Sequence, residues 1–189
     1  GARRAAAEGG SDRTRQTVLV VGGGIGGFNL AARLAEMPWP TGGLRKPPRI
    51  LLVDPKDRFV FTPLLIDYAV EGEIMLDEFA PTYDELEQFA RAERRSAPGV
   101  PGTGPAEVDH LRGIIASVDW RRRVATFKDH AGTNEQTIRF DAAAFCPGQP
   151  SGAEAAGPLA AAVQQGAALP FATLAHGDAL RSRLRERPP

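Results

Sequence analysis

Three short stretches of the chain are continuously apolar rather than alternating: Thr17 to Val21 (TVLVV), Ile50 to Asp54 (ILLVD) and Ala142 to Phe145 (AAAF). Continuous apolar runs of this length, bounded by glycines or acids, predict parallel strands buried on both faces of a sheet. Between the first two, Phe28 to Met37 (FNLAARLAEM) sets Leu30, Ala31 and Leu34 on one helical face, and Pro38 and Pro40 end the helix. A Pro/Gly loop over 38–49 leads into the second strand, so the opening unit is βαβ, with a parallel pair and a right-handed crossover. The expected fold class is α/β, a Rossmann-like parallel sheet with a small antiparallel β-meander.

The meander is expected from Leu111 to Val118 (LRGIIASV) and Arg123 to Lys128 (RVATFK), joined through Asp119-Trp120, with Thr137 to Phe140 (TIRF) following a polar turn. Thr82-Tyr83-Asp84-Glu85 has the spacing of a capping box, and Tyr83, Leu86 and Phe89 with Ala90 form the apolar stripe of a helix over about 83–94. A second helix is expected from Thr173 to Arg187, with Leu174, Leu180 and Leu184 as its apolar positions. Its arginines suit the negative end of the helix dipole and need no ligand. Ser96 to Pro105 (SAPGVPGTGP) reads as an exposed loop, and residues 1–16, rich in Arg, Ala and Gly, as a flexible leader, the trimmed end of a transit peptide or a cloning remnant. The domain is expected to span 17–187.

Composition narrows the function classes. The 189 residues allow one domain and the start of a second. Lys+Arg and Asp+Glu number 23 each, so the broad basic field of nonspecific nucleic-acid binding is missing. Eight acids lie between Asp67 and Glu87, with no Lys or Arg from Phe59 to Ala90, which makes an acidic face and a candidate protein contact. A single cysteine, Cys146, excludes an internal disulfide or a Cys-x-x-Cys pair, so redox chemistry would have to come from a bound cofactor. His110, His130 and His176 lack metal-ligand spacing, and no metal site is expected. No run approaches the roughly 18 apolar residues of a membrane-spanning helix.

Gly22-x-Gly24-x-x-Gly27 stands between the first strand and the first helix. Gly22 permits the tight turn, Gly24 lets the backbone approach a pyrophosphate, and Gly27 allows close packing of helix on strand. The helix N-terminus then offers free amides to phosphates. The next strand ends in Asp54, whose carboxylate can accept the hydroxyls of an unphosphorylated adenosine ribose. The pattern predicts dinucleotide binding; it does not distinguish FAD from NAD, because both carry the same adenosine diphosphate half.

Further residues resemble one family. Asp54 to Leu65 (DPKDRFVFTPLL) is similar to the type II NAD(P)H dehydrogenases, and Leu34 to Pro40 (LAEMPWP), Arg58 to Pro63, Gly72-Glu73, Glu78 to Pro81 (EFAP) and Pro170 to Leu174 (PFATL) resemble their chloroplast branch in wording and order. The resemblance implies a two-dinucleotide-binding flavoprotein fold, incomplete here, and an FAD-dependent enzyme passing hydride from NAD(P)H to FAD and then to a membrane quinone. It implies peripheral membrane contact and a chloroplast location, or otherwise a mitochondrial or cytoplasmic membrane surface. It places Gly22, Gly24, Ile25, Gly26 and Gly27 at the pyrophosphate, Asp54 and Lys56 at the adenosine end, Thr62 and Pro63 by the isoalloxazine, backbone of Val118 at adenine, and Gly148 beside the cofactor. Cys146-Pro147-Gly148 stands where the family has Ala-Thr-Gly or Ala-Leu-Gly. His176-Gly177-Asp178 imitates a later flavin-contacting motif by its letters but reads as helix. Phe59, Phe61, Leu64 and Leu65 suit core packing and a flavin wall equally.

On this reading no catalytic residue is assigned, the second, nicotinamide-binding domain is expected to be absent, and the chain alone lacks the nicotinamide site. Two other readings stay open: a noncatalytic structural subunit that kept the fold within a larger complex and meets a partner through the acidic face 67–87, and a stand-alone module that binds NAD or AMP.

Overall fold

The computed structural model describes residues 15–42, 46–70, 74–88, 101–148, 158–165 and 171–186. In chain order these form β1 (Thr17–Val21), α1 (Ile25–Glu36), β2 (Trp39–Pro40), β3 (Arg49–Asp54), a 3-10 turn (Thr62–Leu64), α2 (Leu65–Val70), α3 (Leu76–Phe79), α4 (residues 83–88), β4 (Thr103–Gly104), β5 (Glu107–Asp119), β6 (Val124–Asp129), β7 (Glu135–Arg139), β8 (Ala142–Phe145), α5 (Pro158–Gln164) and α6 (Leu174–Glu186). One six-stranded sheet runs β7-β6-β5-β3-β1-β8. β1 lies parallel between β3 and β8, in register Val18 with Ile50 and with Ala142, and β3 is parallel to β5.

The three apolar runs do become the parallel strands, because side chains on both faces find a partner layer. Successive residues of a strand point to opposite faces. Val20, Ile50 and Leu52 therefore pack with Ala31, Ala35 and Tyr83 beneath α1, whereas Leu19, Leu51 and Val53 pack with Ala125, Phe127, Ile138 and Phe140 from β6 to β8. The meander thus covers the face opposite α1. It reaches that face because β5 bends: its first half pairs with β3, its second half with β6, and the register slips between Ile115 and Ser117. Gly113 sits at the changeover, where a Cβ would lie 2.1 Å from the Lys128 carbonyl oxygen. Each fully buried Leu, Ile or Val in these layers contributes about 1.5–3 kcal/mol.

A third cluster joins Leu65, Phe79 and Ala80 with Leu64, Tyr68, Leu76 and Leu174. It docks α6 on α2: Tyr68 donates to Asp178 at 2.7 Å, the Arg181 guanidinium lies 4.8 Å from the Tyr68 ring centroid, and Gly177 leaves room for Leu65. His176-Gly177-Asp178 is accordingly helical, as expected.

Four expectations are corrected. β5 begins at Glu107, four residues before the expected strand, and this added half is a third parallel neighbour of the βαβ unit rather than part of a meander. β7 is centred earlier than expected, on Glu135–Arg139. The end of the loop 96–105 is tied down: Thr103–Gly104 pairs antiparallel with Trp39–Pro40, and the Thr41 amide donates to Gly102. Of the leader, Arg15 pairs with Glu107 at 2.8 Å and Gln16 accepts from the Arg49 amide, so these two residues belong to the sheet. Residues 1–14, 96–100, the far half of the expected helix over 83–94, and Gly72-Glu73 lie outside the described residues. Among the described residues no helix is long and apolar enough to cross a membrane.

Candidate functional site

At the carboxyl ends of β1 and β3 the chain turns sharply twice, and the two turns form one wall of a cleft of about 1110 Å³. Ligands of open α/β sheets bind at this end of the strands. The first turn is the glycine loop. Gly22 has φ +98°, which favours glycine, and a Cβ there would lie 2.1 Å from the Cys146 carbonyl oxygen. A Cβ on Gly27 would sit 1.8 Å from the Gly22 carbonyl oxygen, so this glycine lets α1 press against the loop. Gly24 and Gly26 differ: a Cβ on either meets nothing within 4 Å. Together with Ile25 they are exposed and line the cleft. Gly24 is the N-cap of α1, with no side chain capping it, so the first-turn amides are left to whatever occupies the cleft.

Asp54 holds the loop from behind. It is 5% exposed; its Oδ2 accepts from the Gly23 amide at 2.7 Å and its Oδ1 from the Lys56 amide at 2.9 Å. One carboxylate thereby joins the two turns. Lys56, Asp57, Arg58 and Arg112 bring charge to the cleft. Arg58 lies 3.6 Å from Asp57 and 3.8 Å from Asp77 and donates to the Ala80 carbonyl, while Arg112 lies 3.8 Å from Asp57 and donates to the Pro55 carbonyl at 3.3 Å. Arg58 and Arg112 are thus engaged by Asp57 and Asp77, and the Lys56 side chain and the amides at the start of α1 are what this end offers an anion.

Tyr83 closes the back of the cleft. The Thr82 and Glu85 capping box starts its helix as the sequence predicts, with the Thr82 amide donating to Glu85 at 2.8 Å and the Glu85 amide to the Thr82 hydroxyl at 3.2 Å. The Thr82 amide, and then the Thr82 hydroxyl donating to the same carboxylate at 2.8 Å, hold the Glu85 carboxyl below its ordinary value. The phenol of Tyr83 donates to the Gly23 carbonyl at 2.7 Å. Burial first, then the charges of Asp54 and Asp57, push its pKa far above the ordinary 10.0. The ring of His110, from β5, stacks on Tyr83 at 4.2 Å, and its Nε2 is buried without a hydrogen-bond partner. Burial holds the His110 imidazole below its usual 6.5, against the opposing pull of Asp54 and Asp84.

The far wall comes from Ala172 to Ala175 at the start of α6, with Val60 and Thr62 alongside. The sequence-predicted residues Gly24, Ile25, Gly26, Lys56, Thr62 and Gly148 all line the cleft, with Gly22, Gly27 and Asp54 directly behind the loop. Pro63 is exposed in the 3-10 turn beside Thr62 but does not line the cleft. Val118 is not brought there: it lies six residues past Arg112, on the half of β5 that pairs with β6, packed against the layer under the meander. The backbone bend at Gly113 separates it from the site. Phe59 stacks on Phe28 at 4.9 Å and Leu64 and Leu65 pack in the third cluster, so these three are core, while Phe61 is exposed. Tyr83, Arg58, Arg112 and Thr173 went unrecognised as cleft residues; for Thr173 the signal was present in the PFATL motif.

The architecture is an α/β fold with a mostly parallel sheet and a small antiparallel meander. It is shared with NDH2 of Plasmodium falciparum (TM-score 0.61, 15% identity, covering 89% of this chain and 28% of that one) and with the sulfide:quinone oxidoreductase of Aquifex aeolicus (TM-score 0.62, 19% identity, 90% and 32%). No family model matches the chain. By sequence it is 40% identical over 72 residues to the demethylphylloquinone reductase NdbB of Synechocystis, covering 38% of this chain and 17% of that protein. It is also 40% identical over 75 residues to the alternative NAD(P)H-ubiquinone oxidoreductase C1, chloroplastic/mitochondrial, of Arabidopsis thaliana, covering 40% of this chain and 14% of that protein. Over these segments the chain is similar to the type II NAD(P)H dehydrogenases, and the match spans less than a fifth of the length of these two relatives.

Proposed function

We propose that this chain is the FAD-binding portion of an NAD(P)H:quinone oxidoreductase working at an organellar membrane surface. The observation that carries the reading is the cleft itself: uncapped α1 amides, two glycines with open space above them, and the Lys56 side chain at the rim, continuous from Gly24 to Thr62 and the start of α6. A dinucleotide fits this donor set, because its pyrophosphate needs backbone amides at a helix N-terminus and close backbone approach. Gly24, Ile25 and Gly26 would hold the pyrophosphate. Lys56 would lie at the adenosine end, with Asp54 fixing both turns from behind. Thr62 and Gly148 would border the flavin ring. When bound, FAD would supply the acceptance of hydride and the delivery of electrons to the quinone. The chain's own part is to bind and orient it: the apolar contacts of Val60 and Leu174 limit water on one side of the cleft, and the lysine of the rim offsets phosphate charge.

The two sequence relatives are named for demethylphylloquinone and ubiquinone, which supports a quinone as final acceptor. An absorption spectrum of the purified chain, followed by acid release and identification of the nucleotide, tests the reading. One FAD per chain is the expected result; a folded, colourless protein that takes up no added FAD would overturn it.

A further inference from the structure

Gly23 has both of its peptide polar groups bound from outside its own loop. Its N–H donates to Asp54 at the end of β3, and its C=O accepts from the Tyr83 phenol at the start of α4, each at 2.7 Å and each buried. The space above Gly23 is filled by the same ring: a Cβ there would lie 2.1 Å from the Tyr83 hydroxyl oxygen. The tyrosine is itself anchored to the turn that follows Asp54. Its amide donates to the Asp57 carbonyl at 3.1 Å, Arg58 bridges to Thr82, and the Phe59 and Phe61 amides donate to Pro81 and Phe79. Core packing alone would need only the ring, which His110 and the layer beneath α1 already enclose. The hydroxyl has a separate task.

We infer that Tyr83 is a positioning residue: by holding the Gly23 carbonyl it turns the following amides, Gly24 to Gly26, toward the phosphates of a bound dinucleotide. The inference rests on the reading of the cleft given above and adds to it a residue outside the glycine motif. The peptide after Gly23 is the last rigid point before the free end of α1, so its orientation sets that of the donors beyond it. Fixing them in advance removes part of the ordering that binding would otherwise require. Burial and the carboxylates of Asp54 and Asp57 keep the phenol protonated, so it remains a donor at any working pH.

The test compares the full chain with Tyr83→Phe and Ile138→Val by calorimetric titration with ADP, at a temperature where circular dichroism reports all three folded. Ile138→Val thins the layer beneath the meander, on the face of the sheet opposite Tyr83, and so supplies a comparable loss of stability away from the cleft. Tyr83→Phe should weaken ADP binding by about fivefold, the effect of one buried hydrogen bond, while Ile138→Val binds as the parent does. Equal affinity of Tyr83→Phe and parent overturns the inference, as does an equal loss in Ile138→Val, which would make the effect one of general stability. A parent chain that binds no ADP would instead overturn the reading of the cleft, and this inference with it. Amide exchange on the parent supplies a check that needs no variant: the Gly23 N–H should be protected before ADP is added, and those of Gly24 and Gly26 only afterwards. Equal exchange at Gly23 and Gly24 without ADP would overturn the inference.

Discussion

Replacing Asp54 by Asn alters one atom and little shape, which makes it a sharp probe of how the two turns are joined. The carboxylate accepts two backbone amides, one on each oxygen, at 2.7 and 2.9 Å. A carboxamide has a single acceptor atom, so one of the two donors must face an NH₂ group. The side chain will rotate its oxygen toward the buried Gly23 amide and leave the Lys56 amide to water. A hydrogen bond to a charged group contributes about 1.5–3 kcal/mol and a neutral one about 1, so losing the Lys56 bond and weakening the Gly23 bond costs about 2–5 kcal/mol. At about 2–4 °C per kcal/mol for a domain of this length, the melting temperature should fall by at least about 4 °C. Asp54→Ala leaves both amides without the carboxylate and should fall further. Urea and thermal unfolding monitored by circular dichroism measure the order parent, Asn, Ala; titration with ADP on the folded variants should give the same order. If Asp54→Asn unfolds within about 0.5 kcal/mol of the parent, as an ordinary surface substitution does, the carboxylate is not what joins the turns and the argument fails.

Two further perturbations separate folding from binding. Gly27→Ala puts a Cβ 1.8 Å from the Gly22 carbonyl and should cost about 3 kcal/mol in stability, whereas Gly26→Ala meets open space, should leave the melting temperature at or slightly above the parent's, and should still weaken ADP binding because its methyl projects into the cleft; equal stability of the two variants would refute this division. The second concerns pH. His110 is held below its usual 6.5 by burial, so the unfolded chain takes up its proton first, and this contribution to stability is complete above 6.5 and lost as pH falls through the folded value. His110→Gln should flatten the decline of melting temperature just below pH 6.5, and an unchanged slope would show that the imidazole is not the group responsible.

The sequence made the βαβ unit legible because each of its signals is local. Buried strands announce themselves as apolar runs, Gly22, Gly24 and Gly27 are spaced by the demands of one turn, and Asp54 ends the strand that brings it to that turn. The first half of β5 was missed for the opposite reason. Glu107, Asp109 and Arg112 make it read as loop, yet Glu107 pairs with Arg15, Asp109 with Arg49 at 2.6 Å, and Arg112 with the Pro55 carbonyl, all on segments far away in the chain. Charges that would end a strand in isolation are here its cross-strand contacts. Val118 lies away from the cleft through the same strand, since nothing local reveals that β5 bends at Gly113 and carries its second half toward β6.

Tyr83 shows why a site can be half visible. At helical spacing with Leu86 it reads as one more apolar position, and its ring does pack there, beneath α1. What distinguishes it is a hydroxyl whose partner is sixty residues earlier in the chain, on a glycine that the dinucleotide motif leaves unspecified. The motif states which glycines must approach a ligand; it is silent on what holds the residue between them. That information resides in the turn after Asp54, which ties β3 to α4 and so brings the phenol to the loop. The glycine loop and the turn after Asp54 are therefore one mechanical unit, and an alteration in either should be read by the other as a change in nucleotide affinity.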